Sequence, residues 1–125
     1  MSRTPPRPDA AIRARDSGGF GSLTEAAFRN DFANGVEPGL AGVLYAVQGQ
    51  ISQTLFEDRT TVAPWRPRPA WYAVSRQDRT ISPELQRFLA ERMQATTVEI
   101  DSGHLSLVTH PGEVTQLIMQ AVRAV

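Results

Sequence analysis

The chain has 125 residues, thirteen basic and thirteen acidic side chains, 41% apolar content and no Cys. That length holds one domain at most, and the balanced charge gives no global field to draw in nucleic acid or an anionic membrane. The missing Cys excludes a disulfide, a thiol nucleophile and a thiolate metal site, and no apolar run approaches the ~18 residues of a membrane span.

All thirteen basic residues are Arg, which fits a coding bias better than a binding surface. The start, Met1-Ser-Arg-Thr-Pro-Pro-Arg-Pro8, has no apolar signal core behind it, so the expected location is cytoplasmic. Residues 1–19 read as a disordered arm: Pro5, Pro6 and Pro8 lack amide donors, and Gly18 and Gly19 close the segment. Four Arg against two Asp over residues 1–16 make it only weakly basic.

A helical segment is expected over residues 20–63. Leu23, Ala27, Phe28 and Phe32 recur at helical spacing over residues 23–34, with Thr24 as cap. A second helix is expected from Pro38 to about Gln48, with Leu40, Val43, Leu44 and Val47 on one face and Pro38 in its first turn. Ser52 to Glu57 fits a short third helix. Pro64, Pro67 and Pro69 then impose an extended crossing, because a residue before proline is biased away from the helical region.

Residues 64–125 read as strand, helix, strand, helix. Trp71-Tyr-Ala-Val74 is an unbroken apolar run, as a strand buried on both faces requires. Ser82 as cap, Pro83 at the first helical position and Glu84 in the first turn start the next helix, which carries Leu85, Phe88, Leu89 and Met93 on one face. Thr96 to Ile100 is rich in β-branched residues and reads as a second strand. The last helix starts near Pro111 and is expected to bury Val114, Leu117, Ile118, Ala121 and Val122. Short loops in this order imply two parallel strands and a right-handed crossover.

Asp78 falls four residues after Val74, and His104 holds the equivalent place after the second strand. Sites in open α/β sheets form outside the carboxyl ends of the strands. Parallel neighbours lie about 4.8 Å apart, so the loops that follow them can meet. An Asp accepting from one ring nitrogen of a His fixes the tautomer and stabilises the imidazolium formed when a serine is deprotonated. Gly103 allows a tight backbone path into His104.

The segment Ser75-Arg-Gln-Asp78-Arg-Thr-Ile-Ser-Pro-Glu-Leu-Gln86-Arg-Phe88 resembles the acid-bearing segment of α/β-hydrolases of the esterase and hydroxynitrile-lyase type. Asp101-Ser-Gly-His104-Leu-Ser-Leu-Val-Thr-His-Pro111 is similar to their His-bearing segment. Phe28-Arg-Asn-Asp-Phe32 and Val43-Leu-Tyr-Ala-Val-Gln48 resemble their later cap helices. The resemblance implies a partial α/β-hydrolase fold, corresponding to the C-terminal portion: two parallel strands, flanking helices and cap helices. It implies ester or related acyl-bond hydrolysis without a cofactor, with Asp78 as the acid and His104 as the base of a Ser…Asp…His triad. The complete fold needs roughly twice this length. The Gly-x-Ser-x-Gly that bears the family's nucleophile is absent: Gly18, Gly19 and Gly21 do not bracket a serine in that pattern.

The expected partners are a complementing N-terminal hydrolase half, or further copies of the chain, and a small-molecule ester once complemented. The alternative is a catalytically silent remnant or interaction module. Asp101, His104 and His110 lack recognised metal-ligand spacing, so no metal is expected. His110 reads as a helix-entry residue before Pro111. Glu57 and Asp58 read as a solvated helix end, and Trp65 and Trp71 as packing beneath the cap rather than as walls of an acyl or alcohol pocket.

Overall fold

The structure, a computed structural model, describes residues 13–15, as backbone, and residues 18–125. The chain builds two small sheets, each with its own helices. The first is antiparallel and joins β1 (Arg13–Arg15), β2 (Phe20–Leu23) and β3 (Ile51–Ser52) in that order. Ala14 pairs with Ser22, and Gly21 with Ile51. This sheet was not legible in the sequence. Residues 13–15 belong to it and not to an arm; the rest of the expected arm, apart from Gly18 and Gly19, lies outside the described residues.

Leu23 ends β2 and does not start a helix. Its backbone N–H donates to Gln48 Oε1 at 3.1 Å and its carbonyl accepts from Gln48 Nε2 at 2.9 Å, so both groups are spent before helix formation begins. Thr24 caps as expected, accepting from the Ala27 N–H at 3.3 Å. Helix α1 (Glu25–Ala27) then widens into a π-helical turn over Phe28–Phe32, a rare form that recurs at functional sites.

Helix α2 (Pro38–Ala46) has Pro38 in its first turn, and the Glu37 carboxylate accepts from the Gly39 and Leu40 N–H groups at 2.8 Å each. Its inner face is Ala41, Leu44 and Tyr45, while Leu40, Val43 and Val47 are exposed. The small Ala41 lets the helix approach Phe28 and Ala33, which rotates the expected face by about one residue. Residues Gln53–Phe56 make a 3₁₀ turn where the short third helix was expected.

The second sheet pairs β4 (Trp71–Ser75) with β5 (Thr96–Ile100) in parallel, from Trp71 opposite Thr96 to Ser75 opposite Ile100. Helix α3 (Pro83–Arg92) starts as its sequence dictates, with Ser82 Oγ accepting from the Leu85 N–H at 3.2 Å. Helix α4 (Ser106–Thr109), a single turn, precedes α5 (Pro111–Ala124). Helices α3 and α5 both pack on β4. Val74 and Ile100 are the most deeply buried large side chains.

Two faces differ from expectation. In α3 the buried positions are Gln86 and Ala90, with Leu85, Phe88, Leu89 and Met93 only half-covered. In α5 the inner stripe is Val114, Leu117 and Ala121, whereas Ile118 and Val122 are 56% and 60% exposed. A two-stranded sheet is too narrow to cover more of that helix. No helix among the described residues is long and apolar enough to cross a membrane.

Candidate active site

Because β4 and β5 end level, their following loops start side by side. The ladder runs past the strands: Arg76 N–H donates to the Ile100 carbonyl at 2.9 Å, and Gln77 N–H to the Ser102 carbonyl at 3.0 Å. One residue beyond Gln77 stands Asp78, and two beyond Ser102 stands His104. His104 Nδ1 lies 2.8 Å from Asp78 Oδ2, so the structure brings together the two residues singled out in the sequence.

The Asp78 carboxylate has four donors. Oδ1 accepts from the backbone N–H of Thr80 at 2.7 Å and of Ile81 at 3.0 Å. Oδ2 accepts from His104 Nδ1 and from Gln86 Nε2, each at 2.8 Å. Burial by itself pushes the carboxyl's pKa up. The hydrogen bonds from His104 and from the Ile81 and Thr80 N–H groups outweigh it and hold Asp78 below the usual carboxylate range. Asp78 is therefore an anion at neutral pH and only accepts, so the neutral His104 ring carries its proton on Nδ1 and its lone pair on Nε2.

The Asp78 side chain is 4% exposed and that of His104 23%. The carboxylate is sequestered, while the imidazole reaches the surface. Among the described residues His104 hydrogen-bonds to Asp78 alone, and no hydroxyl partners its Nε2.

Two supports escaped the sequence reading. Gln86 donates to Asp78 and to the Ile81 carbonyl (2.8 Å) and accepts from the Ser75 N–H at 2.9 Å, which fastens α3 to the end of β4 and to the acid loop. Its signal was an amide four residues before Ala90 on a buried face. Phe32 lays its ring against the His104 imidazole, centroids 4.8 Å apart and tilted 46°. It was visible only as a core residue of a helix.

A cavity of about 280 Å³ adjoins the pair, with Trp71, Tyr72, Ser75 and Ser106 in its wall. Burial and then the Asp78 charge raise the pKa of the Tyr72 phenol, so it remains a neutral hydroxyl. Trp71 thus reaches the site that the sequence reading denied it. Trp65 lies apart, in a cavity of about 380 Å³ with Leu89 and Met93, and the Arg66 guanidinium sits 5.7 Å from its ring centre. Asp101 turns away to Arg76 at 2.7 Å, and His110 bonds Thr109 Oγ1 at 2.9 Å where α5 begins. Glu57 and Asp58 are exposed.

The profile of the alpha/beta hydrolase family matches residues 1–117. The chain belongs to the alpha/beta hydrolase family. No curated protein and no solved structure matches it. The parallel pair β4–β5 with its flanking helices fits that family's α/β fold.

Proposed function

We propose that His104 is the general base and acid, and Asp78 its orienting partner, in the hydrolysis of an ester or related acyl bond. The nucleophilic serine comes from a segment outside these 125 residues. The observation that carries this reading is the 2.8 Å contact from a buried, anionic Asp78 to Nδ1 of a partly exposed imidazole. That contact holds the proton on Nδ1 and leaves the Nε2 lone pair to take a proton from a serine hydroxyl. Nε2 takes the serine proton as the acyl carbon is attacked, Asp78 stabilises the imidazolium, and the same proton passes to the leaving group. The residues drawn together here hold no oxyanion hole of their own, and the missing segment supplies that as well.

The substrate's hydrocarbon part fits a second cavity. It measures about 510 Å³ and is walled by Leu23, Phe28, Phe32, Leu44, Leu105 and Val108, among others. Phe32 touches His104, and Leu105 follows it in the chain, so the cavity's wall neighbours the reacting group. The Gln48 amide is already spent on Leu23, and the Thr80 hydroxyl on the Asp31 carbonyl at 3.1 Å. Such a lining favours an apolar group of the 300–1,000 Å³ ligand class.

A partner would dock on the edge of β4 that is unpaired among the described residues, together with the exposed Ile118, Met119 and Val122 of α5. Open edges and apolar patches recruit chains, either a complementing hydrolase half or another copy of this one.

Complementation tests the proposal. The chain is mixed with the N-terminal half of a family esterase that carries Gly-x-Ser-x-Gly, and p-nitrophenyl acetate turnover is followed. The chain alone is expected to be silent. The mixture is expected to turn over, and His104→Ala to abolish that turnover. Turnover that survives His104→Ala, or turnover by the pure chain that a serine-directed phosphonate stops, overturns it.

A further inference from the structure

One side chain of residues 20–56, the proposed cap unit, touches the residue just before Asp78 and the residue just before His104. Asn34 lies two residues beyond the π-helical turn. Its Nδ2 donates to the Gln77 carbonyl at 2.8 Å across 43 positions of sequence. Its Oδ1 is fully buried, with no hydrogen-bond partner among the described residues. Both its backbone oxygen and Oδ1 press on Gly103, and a Cβ built at that glycine would collide with each of them. The hydrogen that Gly103 carries in place of a side chain therefore points at these two oxygens, a Cα–H···O contact that only glycine can make here.

Gln77 and Gly103 are also linked through the loop ladder. Gln77 N–H donates to the Ser102 carbonyl, and the Ser102 hydroxyl to the Gly103 carbonyl at 3.0 Å. Asn34 bridges the same two loops from the outside. The neighbouring turn adds to the grip: the Asn30 carbonyl accepts from Arg79 at 3.4 Å, the Asp31 carbonyl from Thr80, and Phe32 stacks on His104. Every one of these contacts ends within a residue or two of Asp78 or on His104 itself.

We infer that Asn34 is a positioning residue: it sets the spacing of the acid loop and the His loop, so that the cap unit holds Asp78 and His104 at hydrogen-bond distance. This rests on the reading of Asp78 and His104 as a working pair. It goes further in placing part of that pair's geometry in the cap unit. An amide suits the position, because it must donate to a carbonyl on one side while its oxygen packs on a Cα–H on the other. A carboxylate of the same shape would set an acceptor oxygen, in place of the Nδ2 donor, against the Gln77 carbonyl.

The tautomer of His104 is the readout, since a residue that merely fills space has no reason to change it. The full chain is labelled with ¹⁵N-histidine and its imidazole nitrogens are observed at neutral pH, in solution or, for sedimented protein, by magic-angle spinning. The wild-type His104 is expected in the Nδ1–H form, and Asp78→Asn is expected to lose that single form to a mixture. Asn34→Ala and Asn34→Asp are both expected to give the mixture too, with unchanged far-ultraviolet dichroism. Should Asn34→Ala not fold, the near-isosteric Asn34→Asp decides. A folded Asn34 variant that keeps the pure Nδ1–H form overturns the inference and leaves the pair intact. A wild-type chain that already shows the mixture overturns both. No ester turnover enters the measurement, so failure of the clamp is distinct from failure of the hydrolase reading.

Discussion

Residues 20–56, the proposed cap unit, and residues 71–124, the α/β unit, are held together in opposite ways. Residues 20–56 close around an aromatic and small-residue cluster: Phe28 under Ala33 and Ala41, with Phe32 at 5.0 Å and Tyr45 at 5.8 Å between ring centres. Their secondary structure is short and irregular, with a two-residue strand, a three-residue helix and a π turn. Residues 71–124 have regular strands and helices, yet much of what they bury is polar: Ser75, Asp78, Gln86 and Ser102. One unit centres on an apolar cluster, with the Gln48 amide tied to Leu23 beside it. The other spends buried volume on a hydrogen-bonded network, and networks of that kind fix geometry more than they stabilise. On the proposed function, chemistry would lie in the second and substrate shape in the first.

Asp78→Asn puts that division to its hardest test. The amide keeps the shape, so the fold should survive, but it no longer fixes the tautomer. In the complemented enzyme kcat is expected to fall by about 10⁴-fold, the scale of that change in other triads. A fall below tenfold would make the carboxylate a structural turn residue.

Phe28→Ala addresses the opposite unit. Truncating a buried Phe costs about 3–5 kcal/mol, and Phe28 is the centre of the cap cluster. Hydrogen exchange is expected to show β2 and α2 losing protection while the β4–β5 ladder keeps its own. Equal loss in both units would mean that they unfold as one body.

How far this division was legible follows from what each unit is made of. The α/β unit was readable because its signals are local: an apolar run at Trp71–Val74, a Ser82-Pro83 start, a β-branched run from Thr96. The Asp78–His104 meeting followed from strand order and needed no contact information. The first unit carries helical signals in its sequence, and nothing local announces its sheet. Leu23 has helical spacing with Ala27, but its backbone is claimed by Gln48, twenty-five residues away. Asn34 and Phe32 escaped for the same reason: their partners at the site are distant in sequence, and nothing local marks an amide that clamps two loops.

Gln86→Leu probes the network's middle rank. The leucine fills the space but leaves the Ser75 N–H and the Ile81 carbonyl unpaired and removes one donor from Asp78. Each buried group left unsatisfied costs about 1–3 kcal/mol. Chemical denaturation should show a loss on that scale, and Gln86→Glu should do worse by setting a second carboxylate on Asp78. A neutral Gln86→Leu would mean that the network is dispensable.

Acid should act on the same network with a definite sign. Asp78 titrates lower in the folded chain than in the unfolded one. Its stabilisation is complete above the unfolded carboxyl value of about 3.9 and is lost as pH falls through the folded value. Stability should therefore drop on its account only below about pH 4, and Asp78→Asn should flatten that limb. An acid limb unchanged in Asp78→Asn would assign it to other carboxylates.

The smallest expected effect belongs to the feature that was easiest to read. Ser82 starts α3 by accepting from the Leu85 N–H at 3.2 Å, with Pro83 in the first turn and Glu84 complementing the helix dipole. Removing a hydroxyl cap costs about 1 kcal/mol. Ser82→Ala should lower stability by that amount, measured in urea with an unchanged slope, and leave Asp78 and His104 paired. Gln86 sits one turn into the same helix, so a frayed start has a route to the site. If Ser82→Ala also scrambles the His104 tautomer, the cap belongs to the positioning network and the line between stabilising and positioning residues in α3 disappears. If only stability moves, Gln86 is held by its own three hydrogen bonds, and the helix start serves folding alone.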